Sequence, residues 1–351
     1  MRLQFKTGKK AHIPILTEEG ALGRVGEICL GLGIAGGALI VSDPIVIKVT
    51  EDKISNSLKE SGIDYSFKLI ERATKFAVDQ VREEVRKLKS KVILGVGGGG
   101  VIDVSKLSAS QENIPFISIP TAASHDGIAS PRAKINHIAP FSIEANSPIA
   151  IIADIDIISK APYRLTASGC GDLIAKLTSV KDWELAHLRK NERFDKQAAT
   201  MAKESGEYLV RNAKLVRDKT KKGYQLVVEG LIKSGIAMAL AGSSRPSSGA
   251  EHMFSHKLDQ IAPNSAYHGE QCGIGTIIMM YLHGGDWKTI VDTLKTVGAP
   301  TTAKDIHVDS EIIIKAICGA KEIRSDRYTI LDEKKMNPKL AEEAATVTGV
   351  I

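Results

Sequence analysis

The sequence predicts an α/β N-terminal domain built on a doubly wound parallel sheet, followed by an all-α domain. Two features carry this reading. Through roughly the first 160 residues, short apolar runs that end in turn residues are interleaved with helical periodicity, the strand–helix–strand order of a parallel sheet. From about Pro162 onward the β-branched runs fade and long helical patterns dominate. The break between Asp154 and Pro162 accordingly divides the chain into residues 1–160 and 161–351.

Taken in order, GALIVSD (Gly37 to Asp43) and KVILGV (Lys91 to Val96) are continuous apolar runs, as in strands buried on both faces. Between them, from about Arg72 to Lys89, Phe76, Val78, Val81, Val85 and Leu88 recur at helical spacing opposite a charged face. IPFISIPT (Ile114 to Thr121) and PIAIIAD (Pro148 to Asp154) supply two more strands. In the second half the helical patterns run Cys170 to Arg193, Asp195 to Val216 and Tyr224 to Ala241, with shorter ones after them.

A length of 351 residues suits two domains of ~100–200 residues each. Hydrophobic residues at 43% and charged residues at 25% describe an ordinary folded chain and not a disordered one. The net charge of +6 comes without a basic stripe interleaved with aromatics, so no nucleic-acid partner is expected. No apolar run reaches the ~18–20 residues needed to span a bilayer, so no membrane insertion is expected. MRLQFKTGKKAHIP has positive charge but lacks the apolar stretch of a signal sequence. Cys29, Cys170, Cys272 and Cys318 are scattered with no CxxC pair, the pattern of a reducing, cytoplasmic compartment.

GVGGGGVIDVSK (Gly95 to Lys106) follows a predicted strand and opens a predicted helix, and Gly95, Gly97 and Gly100 have the G-x-G-x-x-G spacing. Without Cβ atoms such a backbone can approach a pyrophosphate and face it with helix N-terminal N–H groups. The first half thus reads as a dinucleotide-binding domain. The loop belongs to a later βα unit than usual, and no acidic residue follows it at the customary distance. Asp43, which closes an earlier strand, could face the adenosine ribose or could simply cap the strand end. A second loop, IPTAASHDGIASPRA (Ile119 to Ala133), places Thr121, Ser124 and Ser130 as donors to phosphate or amide oxygens. Asp126 in the same loop lies at a strand's carboxyl end, where open α/β sheets bind ligands. Its other reading is an Asx turn.

The helical half carries a metal-site chemistry. Asp172 lies in ASGCGDLIAKLTS, His252 and His256 lie four apart in GAEHMFSH, and His268 follows His252 by sixteen residues in YHGEQCG. One carboxylate and two imidazoles would leave a divalent ion with an open position, as catalytic sites require. Met253 stands where the glutamate of an HExxH zinc protease would be, which argues against that class. The residues alone leave open which two of the three histidines are ligands.

GVGGGGVIDVSK, TAASHDGIASPRA, GCGDLIAKLTSVKDWELAH, HMFSH and HGEQCGIGT resemble, in succession, the motifs of the archaeal sn-glycerol-1-phosphate dehydrogenases. That family belongs with the iron-containing alcohol dehydrogenases, glycerol dehydrogenases and dehydroquinate synthases. The resemblance runs from the N-terminus to YTILDEKKMNPKLAEEAATVTGV and covers nearly the whole chain. The second loop, SHDGIASP, distinguishes it from the glycerol dehydrogenases and dehydroquinate synthases, which share the glycine loop and the metal pattern.

The resemblance implies a dinucleotide-binding α/β domain, a metal-binding all-α domain, and an active site in the cleft between them. It implies that Asp172, His252 and His268 hold one divalent metal ion, usually zinc, and that Asp126 and His256 are catalytic residues contacting substrate beside it, with Asp172 also in the substrate site. Gly97, Gly98, Gly99, Gly100, Val101, Asp103, Thr121, Ala122, Ala123, Ser124 and Ser130 match positions that bind NAD or NADP. Arg132 departs from the family pattern, where an apolar residue is commoner. The implied reaction is the reversible reduction of dihydroxyacetone phosphate to sn-glycerol 1-phosphate, the backbone of archaeal membrane lipids, by a homo-oligomeric enzyme.

The substrate phosphate calls for fixed positive charge, and a guanidinium fork suits it. Arg245, in the hydroxyl-rich turn AGSSRPSSG seven residues before His252, is the residue chosen, with Arg132, Arg164 and Lys233 as competitors. Three rival readings stand beside this one: a polyol dehydrogenase without a phosphate pocket, a dehydroquinate-synthase-like lyase that keeps its NAD, and a non-catalytic NAD- or metal-binding regulator.

Overall fold

The computed structural model describes residues 13–135 and 142–351; the basic N-terminal stretch 1–12 lies outside the described residues. Two compact units are present. One comprises the described residues through Ala123 together with Gly127–Pro162, and the other Ser124–Asp126 with Tyr163–Ile351.

The first unit runs β1 (Ile15–Glu18), α1 (Val25–Gly31), β2 (Ala38–Ser42), α2 (Ile47–Glu60), β3 (Tyr65–Leu69), α3 (Lys75–Leu88), β4 (Val92–Gly97), α4 (Gly99–Gln111) and β5 (Phe116–Pro120). A two-stranded ribbon, β6 (Arg132–Ala133) and β7 (Ile143–Glu144), precedes β8 (Ala150–Asp154) and the short α5 (Ile155–Ile158). Six strands form one parallel sheet in the order β1-β8-β5-β4-β2-β3.

Side chains alternate across this sheet with the strand period of two. Ile40, Val92, Leu94 and Val96 pack with Val25, Ile54 and Leu58 on one face. Leu39, Val41 and Ile93 pack with Val78, Val81, Val85, Ile102 and Leu107 on the other. Both faces being covered, the strands read as unbroken apolar runs. Helix α3 shows why a helix forms where it does. Thr74 caps its start by accepting from the Ala77 N–H at 3.2 Å, Ala77, Val78, Val81 and Val85 form its buried face, and Lys89 ends it in the left-handed conformation at φ +51°, whereas Phe76 and Leu88, expected on the apolar face, are exposed.

From β2 the chain moves outward to β3 and from β4 it moves the other way to β5, so the strand order reverses between β2 and β4. Ligands of open α/β sheets bind at the strand carboxyl ends beside such a reversal.

The second unit is helical: α6 (Tyr163–Lys190), α7 (Lys196–Arg217), α8 (Lys221–Ala241), α9 (Ala250–Ile261), α10 (His268–Leu282), α11 (Trp287–Thr296), α12 (Ser310–Ile323), α13 (Ile330–Glu333) and α14 (Pro338–Val347). Helix α8 is long and apolar enough to cross a membrane, which the sequence reading did not expect of any segment, but most of it is buried against its neighbours. Helices α6 and α10 approach unusually closely. A Cβ at Gly171 would collide with the Gly269 carbonyl, and one at Gly269 with the Ser168 carbonyl.

Candidate active site

That close approach brings donor atoms together. Asp172 projects from α6, His252 and His256 from one face of α9, and His268 and Cys272 from one face at the start of α10. Ligand atoms of Asp172, His252, His268 and Cys272 all lie within 4.8 Å of one another. His252 Nε2 stands 3.4 Å from Asp172 Oδ1, and the His252 and His268 ring centres are 5.1 Å apart. His256 stacks on His268 at 5.6 Å, and His125 meets it edge-on at 6.3 Å.

Each inner imidazole is oriented from behind. His252 Nδ1 lies 2.8 Å from Glu251 Oε1, and the buried Glu251 also accepts from Ser179 Oγ, Thr178 Oγ1 and the Gly249 N–H. A carboxylate that can only accept assigns a proton to Nδ1 and leaves Nε2 as the nitrogen that faces Asp172 and is open to a metal. For His268 the support is a relay. Gln271 donates to Asp259 at 2.9 Å, which fixes its amide, so its Oε1 accepts from Ser255 Oγ at 2.7 Å. Ser255 Oγ, its proton committed, accepts from His268 Nδ1 at 3.1 Å.

Burial pushes the Asp172 carboxyl up, but the Lys176 ammonium and then His252 outweigh it and hold the carboxyl well below its usual range. Burial likewise pulls His252 down, while Cys272, Asp172 and Glu251 bring it well above an ordinary histidine. Surroundings that negative, which retain a proton on the ring, also attract a divalent cation in its place.

Lys176 is wholly buried one helical turn after Asp172, with Nζ 2.7 Å from Asp172 Oδ1 and 2.9 Å from Asp126 Oδ2. Asp126 also takes a 2.7 Å bond from Ser234 Oγ, and its own N–H donates to Asp172 Oδ2 at 2.8 Å. Asp126, Asp172, His252, His256 and His268 thus all belong to one cluster of the helical unit.

The first unit holds a separate cavity of about 550 Å³ at the carboxyl ends of β2, β3 and β4, lined by Asp43, residues 70–73 and Gly98, Gly99, Gly100 and Val101. Gly98 is extended, and a Cβ built there meets nothing within 4 Å. Its open side and the first N–H groups of α4 fit a pyrophosphate. In the same way, the carboxylate and the two inward-turned imidazoles fit a divalent transition metal such as zinc.

A model of the iron-containing alcohol dehydrogenase family matches residues 16–162. A glycerol-1-phosphate dehydrogenase [NAD(P)+] of Methanothermobacter thermautotrophicus is 46% identical over 346 residues, covering 98% of this chain and 99% of the relative. One from Thermococcus sibiricus is also 46% identical, over 97% and 99% of the two chains. The chain belongs to the glycerol-1-phosphate dehydrogenase family. Among solved structures, a glycerol dehydrogenase of Schizosaccharomyces pombe shares the fold at a TM-score of 0.80 with 23% identity, over 95% of this chain and 88% of that one. A sulfoacetaldehyde reductase of Bifidobacterium kashiwanohense in complex with NAD+ shares it at 0.73 with 15% identity, over 99% and 98%.

In this member of the glycerol-1-phosphate dehydrogenase family, Arg245, expected to hold the substrate phosphate, is engaged by partners within the protein. The residue is 2% exposed, and its guanidinium forms a two-pronged pair with Glu192, through Nε at 2.6 Å and through Nη2, while Nη1 donates to the Tyr328 carbonyl at 3.1 Å. Arg164 is similarly committed to Glu270 at 2.6 and 2.8 Å. Asp103 is not among the residues lining the glycine-rich cavity: it is buried, 3.4 Å from Lys106 Nζ, and accepts from the Lys134 N–H at 3.0 Å. Asp43 lines the cavity and also caps the following turn, accepting from the Ile45 and Val46 N–H groups at 2.9 Å. Gly97 closes β4 against Val101, and its carbonyl accepts from the Thr121 N–H at 3.0 Å; Thr121, Ala122, Ala123 and Ser130 are buried beyond the cavity lining, and Ser124 is half-buried.

Lys176, Glu251 and Cys272 were not singled out from the sequence. Lys176 and Cys272 had a legible signal, since each stands four residues after a predicted ligand on what becomes the same helix. Glu251 had only adjacency to His252.

Proposed function

We propose that this chain catalyses the reversible, NAD(P)-dependent interconversion of dihydroxyacetone phosphate and sn-glycerol 1-phosphate, which supplies the backbone of archaeal membrane lipids. The observation that carries this reading is 46% identity to glycerol-1-phosphate dehydrogenases along essentially the whole chain. The donor cluster and the glycine-lined cavity support it independently, because the reaction needs a Lewis acid and a dinucleotide.

Asp172, His252 and His268 would hold the metal, and Asp43, Gly98, Gly99, Gly100 and Val101 would seat the cofactor. When bound, the ion supplies polarisation of the ketone oxygen and the reduced nicotinamide supplies hydride to the middle carbon. Glu251 and the Ser255–Gln271–Asp259 relay keep the two imidazoles aimed, so no reorganisation is needed during the reaction. Reduction leaves the substrate's middle oxygen short of a proton, and a ring nitrogen of His256, beside His268, is the carrier. Asp126 Oδ2 is already engaged by Lys176 and Ser234, so Asp126 acts as an acceptor that orients a substrate hydroxyl. The four cysteines are all unpaired, which supports a reducing cytoplasmic setting.

The test follows NADH and NADPH oxidation with dihydroxyacetone phosphate and, separately, with dihydroxyacetone, then resolves the product's configuration. The proposal expects kcat/KM for the phosphorylated ketone to exceed that for the other by at least ~10-fold, the worth of one charge-assisted contact, and a 1-phosphate product. Turnover of dihydroxyacetone alone would make the chain a polyol dehydrogenase.

A further inference from the structure

We propose that Cys272 is a fourth metal ligand in the substrate-free protein, giving the site a sulfur donor that selects thiophilic ions. This rests on the metal centre proposed above and extends it by one residue.

The distances carry the inference. Around a tetrahedral zinc, bonds of about 2.05, 2.1 and 2.3 Å to nitrogen, oxygen and sulfur make a nitrogen–oxygen edge of about 3.4 Å and a nitrogen–sulfur edge of about 3.6 Å. His252 Nε2 and Asp172 Oδ1 are 3.4 Å apart, and His268 Nε2 and Cys272 Sγ are 3.6 Å apart. Two edges of such a polyhedron are therefore already at length. The fourth donor atom also falls within the same 4.8 Å envelope as the other three.

The helix supplies the reason. Cys272 follows His268 by one turn of α10, so both point to the same side, and Ser255 holds the ring through Nδ1 so that Nε2 is the nitrogen nearer to sulfur. Cys272 is fully buried and in no disulfide. Had it been only a small packing residue, any aliphatic side chain would have served, and none would meet the imidazole at a ligand edge. A thiol that becomes a ligand releases its proton to solvent. A sulfur-containing donor set prefers zinc, cobalt and cadmium to manganese and magnesium.

The test loads chelator-stripped protein with Co²⁺ and records its visible and near-ultraviolet absorption, with Cys272→Ser and Cys272→Ala beside it. Expected is a sulfur-to-cobalt charge-transfer band in the unaltered chain, absent from both variants, which keep the visible ligand-field bands of bound cobalt. Zn²⁺ affinity should fall ~10-fold or more in the variants, and Mn²⁺ affinity much less. Unchanged NADH affinity confirms that each variant is folded. Ligand-field bands without a charge-transfer band in the unaltered chain would overturn the role of Cys272 and leave the three-ligand centre standing. No cobalt spectrum at all would overturn both.

Discussion

His252 and His268 reach the same small space from different helices, and each is held by hydrogen bonds from behind, His252 by Glu251 and His268 by Ser255 and Gln271. Glu251 gathers four donors, including His252, because a buried carboxylate with fewer would be too costly to keep ionised. Burial pushes it up, and the His252 and Ser179 contacts bring it below the ordinary glutamate range. Arg245 shows the opposite use of a buried charge. Its pairing with Glu192 and the Tyr328 carbonyl anchors a turn, so Arg245→Ala should lower stability by about 2–3 kcal/mol, below the ~3–5 kcal/mol of a broken fully buried pair because Glu192 is one-third exposed. Denaturant unfolding would read that loss, with KM for dihydroxyacetone phosphate and for dihydroxyacetone changing alike. A selective rise in KM for the phosphorylated ketone would return Arg245 to the substrate site. From sequence, an arginine in a Ser/Pro/Gly turn looks available to an anion; its partner is 53 residues away in the chain, and no local pattern reveals such a pair.

Helices and strands were legible where burial repeats at a fixed period. Strands β2, β4, β5 and β8 are apolar runs and stand out. Strand β3, YSFKL, lies at the sheet edge with no fully buried residue, and β1 is four residues long, so neither stands out. Helix α6 begins at Tyr163, seven residues before the pattern that starts at Cys170, because YRLTASG is rich in small and hydroxyl residues suited to packing against α10. The β4–α4 turn makes a prediction at this scale. A Cβ at Gly98 finds open space in the protein itself but stands where a pyrophosphate would lie, so Gly98→Val should fold normally. Its dissociation constant for NADH, read by fluorescence, should rise ~10-fold or more, equivalent to about 1.4 kcal/mol. Unchanged affinity in the folded variant would confine these glycines to packing.

At the scale of the whole molecule, the two tasks of the proposed reaction fall to two units. The sheet unit holds the glycine-lined cavity and the helical unit holds the donor cluster, to which Ser124–Asp126 of the second loop belong. The sequence announced both tasks through short motifs, since glycine spacing and ligand spacing are local. It concealed the relays behind the histidines and the Lys176 bridge, which exist only once α6, α8, α9 and α10 have packed. The account turns on the metal being part of the chemistry. Its most direct test is dihydroxyacetone-phosphate-dependent NADH oxidation by chelator-stripped protein, before and after one equivalent of Zn²⁺ is restored. Loss of a Lewis acid worth several kcal/mol should lower kcat by about 100-fold or more, with NADH affinity kept and activity recovered on adding zinc. Full turnover by protein verified to be metal-free would contradict it.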